Sequence, residues 1–177
     1  GLSVSLSPAS QTVPSGTSAT FDEAITVAAG ATQGATLHCS TNFLVNGLDA
    51  GPAFVQSVAI TVNDVTAPTV SCGPGVNPDG VTPPGCQNAG FYRLVAADNL
   101  PGVMVTVSDT KSSASFGPYA PDTTIKLTQA LGAGPSAVPG EGAVNWKIML
   151  KGDALLTATD AAGNTATATC KVPPKSK

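Results

Sequence analysis

The chain has 177 residues, which is enough for one large domain or for two small ones that each bury a modest core. Charged residues make up only 11% and the net charge is −3, so the chain lacks the clustered Lys and Arg that nucleic-acid binding requires. Gly and Pro are abundant, and no window approaches the run of about 18 apolar residues that a membrane span needs. This composition favours short strands joined by turns and predicts no membrane span.

The first part of the chain predicts four strands, at 2–6, 18–27, 36–45 and 54–62. The first of them alternates apolar and polar residues with the period of two that a half-buried strand shows. Asn46-Gly47 directly follows the third and is typical of a tight hairpin turn.

The stretch Gln11-Thr-Val-Pro-Ser-Gly-Thr-Ser-Ala-Thr-Phe21, with the early Pro8, resembles bacterial immunoglobulin-like accessory domains over residues 2–62. The resemblance implies a β-sandwich for this part. Between 63 and 72 a strand ends, a proline fixes the backbone and a new apolar alternation begins. A junction this short is expected to be semi-rigid.

The second part predicts strands at 67–72, 91–97, 103–107, 123–128 and 144–150, followed by a hairpin in which 155–157 leads into a tight turn and 165–172 returns. The stretches 67–72 and 158–170 resemble the hyalin-repeat (HYR) type of immunoglobulin-like domain. Two Pro/Gly-rich insertions, 73–90 and 131–142, depart from that pattern and from a simple seven-strand layout.

These patterns predict an all-β fold with two immunoglobulin-like β-sandwich domains in tandem. Residues 1–65 are expected to form an Ig-like β-sandwich, and residues 66–177 a HYR-like Ig-like β-sandwich with Pro/Gly-rich insertions.

Four cysteines, at 39, 72, 86 and 170, suit an oxidising compartment and predict a secreted protein at the cell surface. The HYR resemblance implies a disulfide between Cys72 and Cys170, which leaves Cys39 to pair with Cys86. Two alternatives stay open: Cys72 with Cys86 and Cys39 with Cys170, or four free thiols. Zinc binding is not favoured, because the chain has no Cys-x-x-Cys and His38 and Cys39 point to opposite faces of one strand.

Catalysis by a Ser-His-Asp or Cys-His arrangement would have to use His38, the only histidine. We expect His38 to point to solvent, because Leu37 and Cys39 share the other face of the strand. The acidic residues are sparse and are typical of turns, so no enzyme is predicted.

Two further groups of residues are candidates for calcium binding and for glycan contact. Asp98, Asp153, Asp160 and Asn164 could gather at one end of a sandwich as calcium ligands, although Asp and Asn also cap turns through local hydrogen bonds. No cofactor is otherwise expected. Phe116 and Tyr119 lie in a predicted turn and are the candidates for glycan contact, whereas Trp146 is expected in the core.

Charge is distributed unevenly along the chain. Residues 1–67 contain four acids and no Lys or Arg, while all eight cations follow. The sequence therefore predicts a non-catalytic extracellular structural or adhesive module of a prokaryotic surface filament, sheath or adhesin, whose partners are copies of itself, head to tail, or neighbouring surface subunits. The alternatives are an accessory carbohydrate-binding or spacer module of a secreted hydrolase, with polysaccharide as partner, and a virion surface protein.

Overall fold

The computed structural model describes residues 1–51, 55–132 and 134–174, and within these ranges the chain is all-β without a helix, which confirms the predicted class. No described segment is a helix long and apolar enough to cross a membrane. The chain divides into two compact units, Gly1–Asp64 (unit 1) and Val65–Lys177 (unit 2).

Unit 1 consists of short antiparallel pairs. Its described strands are β1 (Leu2–Ser7), β2 (Asp22–Val27), β3 (Thr36–Asn42), β4 (Leu44–Val45), β5 (Leu48–Asp49) and β6 (Val55–Thr61). They form three two-stranded sheets, β1–β2, β3–β6 and β4–β5. The predicted strand at 54–62 corresponds to β6, except that Phe54 lies outside the described residues.

Side chains in unit 1 are only partly covered. Along β3 every second residue is half-buried, so that Leu37 and Cys39 face inward and His38 is exposed. Among the described residues of unit 1, none is fully buried. A unit of this size buries little surface on folding, and this one leaves much of its apolar side exposed.

Unit 2 contains nine strands within its described residues. They are β7 (Thr69–Pro74), β8 (Phe91–Ala97), β9 (Met104–Asp109), β10 (Ser115–Tyr119), β11 (Thr124–Gln129), β12 (Ser136–Pro139), β13 (Trp146–Leu150), β14 (Ala154–Thr159) and β15 (Thr165–Cys170). One sheet has the order β10-β9-β14-β15 and the other has the order β12-β13-β11-β8-β7. The pairing of β11 with β13 is parallel, and the others are antiparallel.

The two sheets of unit 2 pack face to face around one apolar core. Leu94, Ile125 and Ile148 enter it from the five-stranded sheet, and Val105 and Leu156 from the four-stranded sheet, all with 0% exposure. Strand alternation produces this arrangement, since every second residue of β14 is buried. Each such side chain contributes about 1.5–3 kcal/mol by leaving water, so unit 2 holds most of the stability of the described chain.

Candidate functional site

A disulfide joins Cys72 of β7 to Cys170 of β15, 98 residues apart, with a Cα–Cα distance of 5.8 Å. This is the pairing that the HYR resemblance implied. The two strands are edge strands of different sheets, and they are the first and the last strand of unit 2. The bond therefore joins the two sheets of the sandwich. Gln87 adds a hydrogen bond from Nε2 to the Cys72 carbonyl oxygen, 2.9 Å long.

The expected bond between Cys39 and Cys86 is not formed in the structure, where both are free thiols. Cys39 lies half-buried on the inward face of β3 in unit 1, and Cys86 is only 7% exposed inside unit 2. A free cysteine that is shielded from solvent behaves as a small apolar side chain.

His38, the residue that a catalytic triad would need, lies on the exposed face of β3 as the strand pattern predicted. An exposed strand residue is not enclosed in the water-excluding cleft in which an imidazole acts as general base.

The four calcium candidates do not gather at one end of the sandwich. Asp153 precedes β14 and Asp160 follows it, so their backbones lie on the order of 20 Å apart at about 3.3 Å per residue. Asp98 and Asp160 do approach each other, with carboxylate oxygens within 4.8 Å. The expectation of one four-residue cluster is therefore wrong, and only Asp98, Asp160 and Asn164 share an end.

Asp160 and Asn164 close the turn between β14 and β15. The Asp160 carboxylate accepts hydrogen bonds from the backbone and from the side-chain nitrogen of Asn164, both 2.8 Å long. Burial acts to raise the pKa of Asp160, but these bonds, with others from turn backbone nitrogens, lower it overall. Both oxygens of the Asp160 carboxylate therefore stabilise the turn between β14 and β15.

At the other end of β14, Asp153 accepts a 2.7 Å bond from Lys171 Nζ and a 3.1 Å bond from the Val172 backbone nitrogen. These contacts, the Lys171 bond first, hold the pKa of Asp153 below its ordinary value. Asp153 therefore fastens the chain that follows β15 and has a structural role.

Asp109 is a buried carboxylate that sequence reasoning missed. It is 4% exposed and accepts four hydrogen bonds: from Ser112 Oγ (2.7 Å) and from the backbone nitrogens of Lys111 (3.0 Å), Lys151 (2.9 Å) and Gly152 (2.7 Å). Burial by itself raises the pKa of Asp109, but the four donors outweigh it and lower the pKa to about 2. The spacing Asp109-x-x-Ser112 is visible in the sequence as a turn signal. The backbone donors of Lys151 and Gly152 lie more than 40 residues further along the chain and leave no local sequence pattern.

The expected exposed aromatic pair is wrong. Tyr119 is only 8% exposed and packs on Trp146 with ring centroids 5.5 Å apart. Phe116 is half-buried against the same core. Both belong to β10, whose inner face covers the core, so neither ring offers a free platform for stacking on a sugar.

Unit 1 carries an exposed apolar hairpin, formed by β4, Asn46-Gly47 and β5 (residues 44–49; hereafter the apolar hairpin). Asn46 and Gly47 both have positive φ, 53° and 79°, as a two-residue type I′ turn requires. Leu44, Val45 and Leu48 are 65%, 59% and 74% exposed. The hairpin's one charged residue is Asp49, whose Oδ1 accepts a 2.9 Å bond from the Gly51 nitrogen.

Unit 2 carries a pocket of about 390 Å³ beside β11 (hereafter the Lys126 pocket). It is lined by residues 126–129, the turn residues 88–89, Leu131, Pro173 and Pro174. The Lys126 ammonium lies 3.7 Å from the centre of the Phe91 ring and donates a hydrogen bond to the Ala89 carbonyl oxygen. Burial lowers the pKa of Lys126.

Three other cations of unit 2 are in ion pairs: Arg93 with Asp122 (3.6 Å), Lys147 with Glu141 (2.5 Å) and Lys171 with Asp153 (2.7 Å). Within ranges 1–51, 55–132 and 134–174, no carboxylate lies within ion-pair distance of Lys126. The pocket therefore holds a partly desolvated cation beside apolar surface.

Comparison of the chain with protein-family models, with curated proteins and with solved structures finds no significant match.

Proposed function

We propose that this protein is a non-catalytic extracellular structural or adhesive module, a subunit or segment of a prokaryotic surface filament, sheath or adhesin that associates with copies of itself. The apolar hairpin carries this proposal, because it presents three large aliphatic side chains to solvent in a unit whose described residues are nowhere fully buried. Clustered exposed apolar side chains mark interaction surfaces in soluble proteins.

The strand edges of unit 1 support the same function. Within the described residues, each strand of the β1–β2 and β3–β6 sheets is paired on one side only. Neither β1 nor β6 contains a charged residue or a proline, the usual protections against pairing with another chain. Edges of this kind favour association by strand addition.

The topology of unit 2 supports an immunoglobulin-like assignment, which we propose together with the HYR type. The order β7-β8-β11 corresponds to strands A-B-E of an immunoglobulin sandwich, and β10-β9-β14-β15 corresponds to C′-C-F-G. The hairpin of β12 and β13 extends the first sheet beyond β11. Sandwiches of this kind recur as domains of cell-surface proteins.

The disulfide supports a location outside the cytoplasm. Disulfides persist in oxidising compartments and are rare where cellular thiols keep cysteines reduced. The bond between Cys72 and Cys170 closes nearly the whole of unit 2, as expected of a secreted domain.

Sedimentation velocity of the purified chain over a wide range of concentrations, followed by negative-stain electron microscopy, tests the proposed function. We expect the mean mass to rise with concentration and ordered polymers to appear. A chain that stays monomeric at every concentration would contradict the proposal.

A further inference from the structure

We infer that the apolar hairpin of one copy docks into the Lys126 pocket of another copy, with Asp49 of the first facing Lys126 of the second. This inference rests on the proposed function and specifies its contact surfaces. It is carried by three observations: both surfaces are apolar, their charges are opposite and their shapes are compatible.

The apolar parts match in kind and size. Leu44, Val45 and Leu48 flank a narrow two-residue turn. Val45 and Leu48 are paired on one face of the hairpin and Leu44 lies beside Asp49 on the other, so a shallow pocket that receives the tip contacts both faces. The Lys126 pocket has a volume of about 390 Å³ and an apolar border that includes Leu131, which is 54% exposed. Small-molecule binding clefts in proteins have volumes of about 300–1,000 Å³, so the Lys126 pocket lies at the lower end of that range.

The charges select the partner. Unit 1 has no Lys or Arg, so two copies of unit 1 would meet with acids on both sides. The Lys126 pocket has one charged lining residue, a lysine without a carboxylate partner among the residues that the structure describes. Asp49 would supply that carboxylate, and its charge disfavours an anionic membrane as the occupant of the hairpin surface.

The symmetry of the contact explains how further copies can add to an assembled pair. Hairpin and pocket are different surfaces on different units, so the contact is heterologous. Each bound pair keeps one free hairpin and one free pocket. Such contacts continue into a filament, or into a ring if the rotation closes.

Single substitutions test the two surfaces separately. Leu48→Asp should remove the hairpin contact and Lys126→Glu the pocket contact, and each should raise the concentration of half-assembly about tenfold or more. Val13→Asp is the matched control for the first, because Val13 is a 46% exposed valine of unit 1 outside the hairpin. Lys151→Glu is the control for the second, because Lys151 is exposed and lies outside the pocket. Both controls should assemble like the wild type.

A mixture of the two variants gives the sharpest result. The Leu48→Asp chain keeps its pocket, and the Lys126→Glu chain keeps its hairpin. Neither variant should assemble alone. In the mixture, the hairpin of the Lys126→Glu chain should bind the pocket of the Leu48→Asp chain, which gives one-to-one pairs that cannot extend. Sedimentation velocity measures the mass of these pairs. Unchanged circular dichroism and thermal unfolding show that each variant is folded.

The outcomes separate this inference from the proposed function. If the wild type assembles and both variants assemble equally well, the inference is wrong and the proposed function stands. If the wild type never assembles, both fail. Docking of the hairpin within its own chain would leave a monomer. Binding of the hairpin to phosphatidylcholine vesicles without self-association would identify a lipid partner. Either result overturns the inference.

Discussion

The Tyr92 hydroxyl donates a 2.5 Å hydrogen bond to the backbone carbonyl oxygen of Lys171, directly after the disulfide-bonded Cys170. Tyr92 lies in β8 of one sheet and Lys171 follows β15 of the other. The bond thus links the two sheets beside the disulfide. Burial is the main cause that raises the pKa of Tyr92, so the hydroxyl stays protonated and able to donate at neutral pH.

Tyr92→Phe removes this bond while keeping the buried ring. We expect the free energy of unfolding to fall by about 1 kcal/mol, the net contribution of one hydrogen bond, measured by urea denaturation. Tyr119→Phe is the control, because its hydroxyl has no hydrogen-bond partner within the described residues. Equal losses in both variants would show that the Lys171 contact contributes nothing of its own.

Replacing Cys72 and Cys170 together by Ser should lower the free energy of unfolding of unit 2 by about 4 kcal/mol, because the bond restrains a loop of 98 residues in the unfolded chain. Urea denaturation of the double variant measures the loss, with Cys39→Ser as the control for removing a free thiol. Alkylation of the unreduced, denatured wild type should label Cys39 and Cys86 only. Labelling of Cys72 or Cys170 would contradict the observed pairing.

Asp109→Asn replaces one carboxylate oxygen by an NH2 group that must face hydrogen-bond donors. We expect a loss of about 2–3 kcal/mol at neutral pH, in the range for hydrogen bonds to a charged group, by urea denaturation. Asp79→Asn, on an exposed loop residue, should change stability little. If Asp109→Asn leaves the free energy of unfolding unchanged, the four donors do not stabilise a charged carboxylate.

The effect of Asp109 should depend on pH with a definite sign. Its folded pKa, about 2, lies below the ordinary value of 3.8, so the charged form contributes stability above pH 3.8. That contribution disappears as the pH falls from 3.8 towards 2. The stability difference between wild type and Asp109→Asn should therefore shrink over this window. A difference that stays constant down to pH 2 would assign the loss to packing alone.

The two strands of unit 2 that sequence patterns missed are edge strands. β10 contains Pro118 and β12 ends at Pro139, and both lie at the outer edge of their sheets. Proline cannot donate to a strand ladder, so it is tolerated at edges, where the local sequence resembles a turn. The register shift in β10 between Phe116 and Tyr119 weakens the period-two signal further. Central strands such as β14 have no such interruption and were predicted.

The candidate sites were harder to predict for a different reason. Sequence order already placed a strand between Asp153 and Asp160, which separates them, but the approach of Asp98 to Asp160 depends on the fold of both sheets. Cys39 illustrates the same point. An even number of cysteines favours full pairing, whereas a disulfide forms only where the fold brings two cysteine backbones within about 7 Å, which local sequence does not reveal.

Hydrogen–deuterium exchange at low and high protein concentration tests most directly that this protein works by association. Exchange in the apolar hairpin should slow as concentration rises, and so should exchange near the Lys126 pocket, while the core strands of unit 2 remain unchanged. If no segment of either unit gains protection at any concentration, the exposed surfaces are not contacts between copies and the proposed function is contradicted.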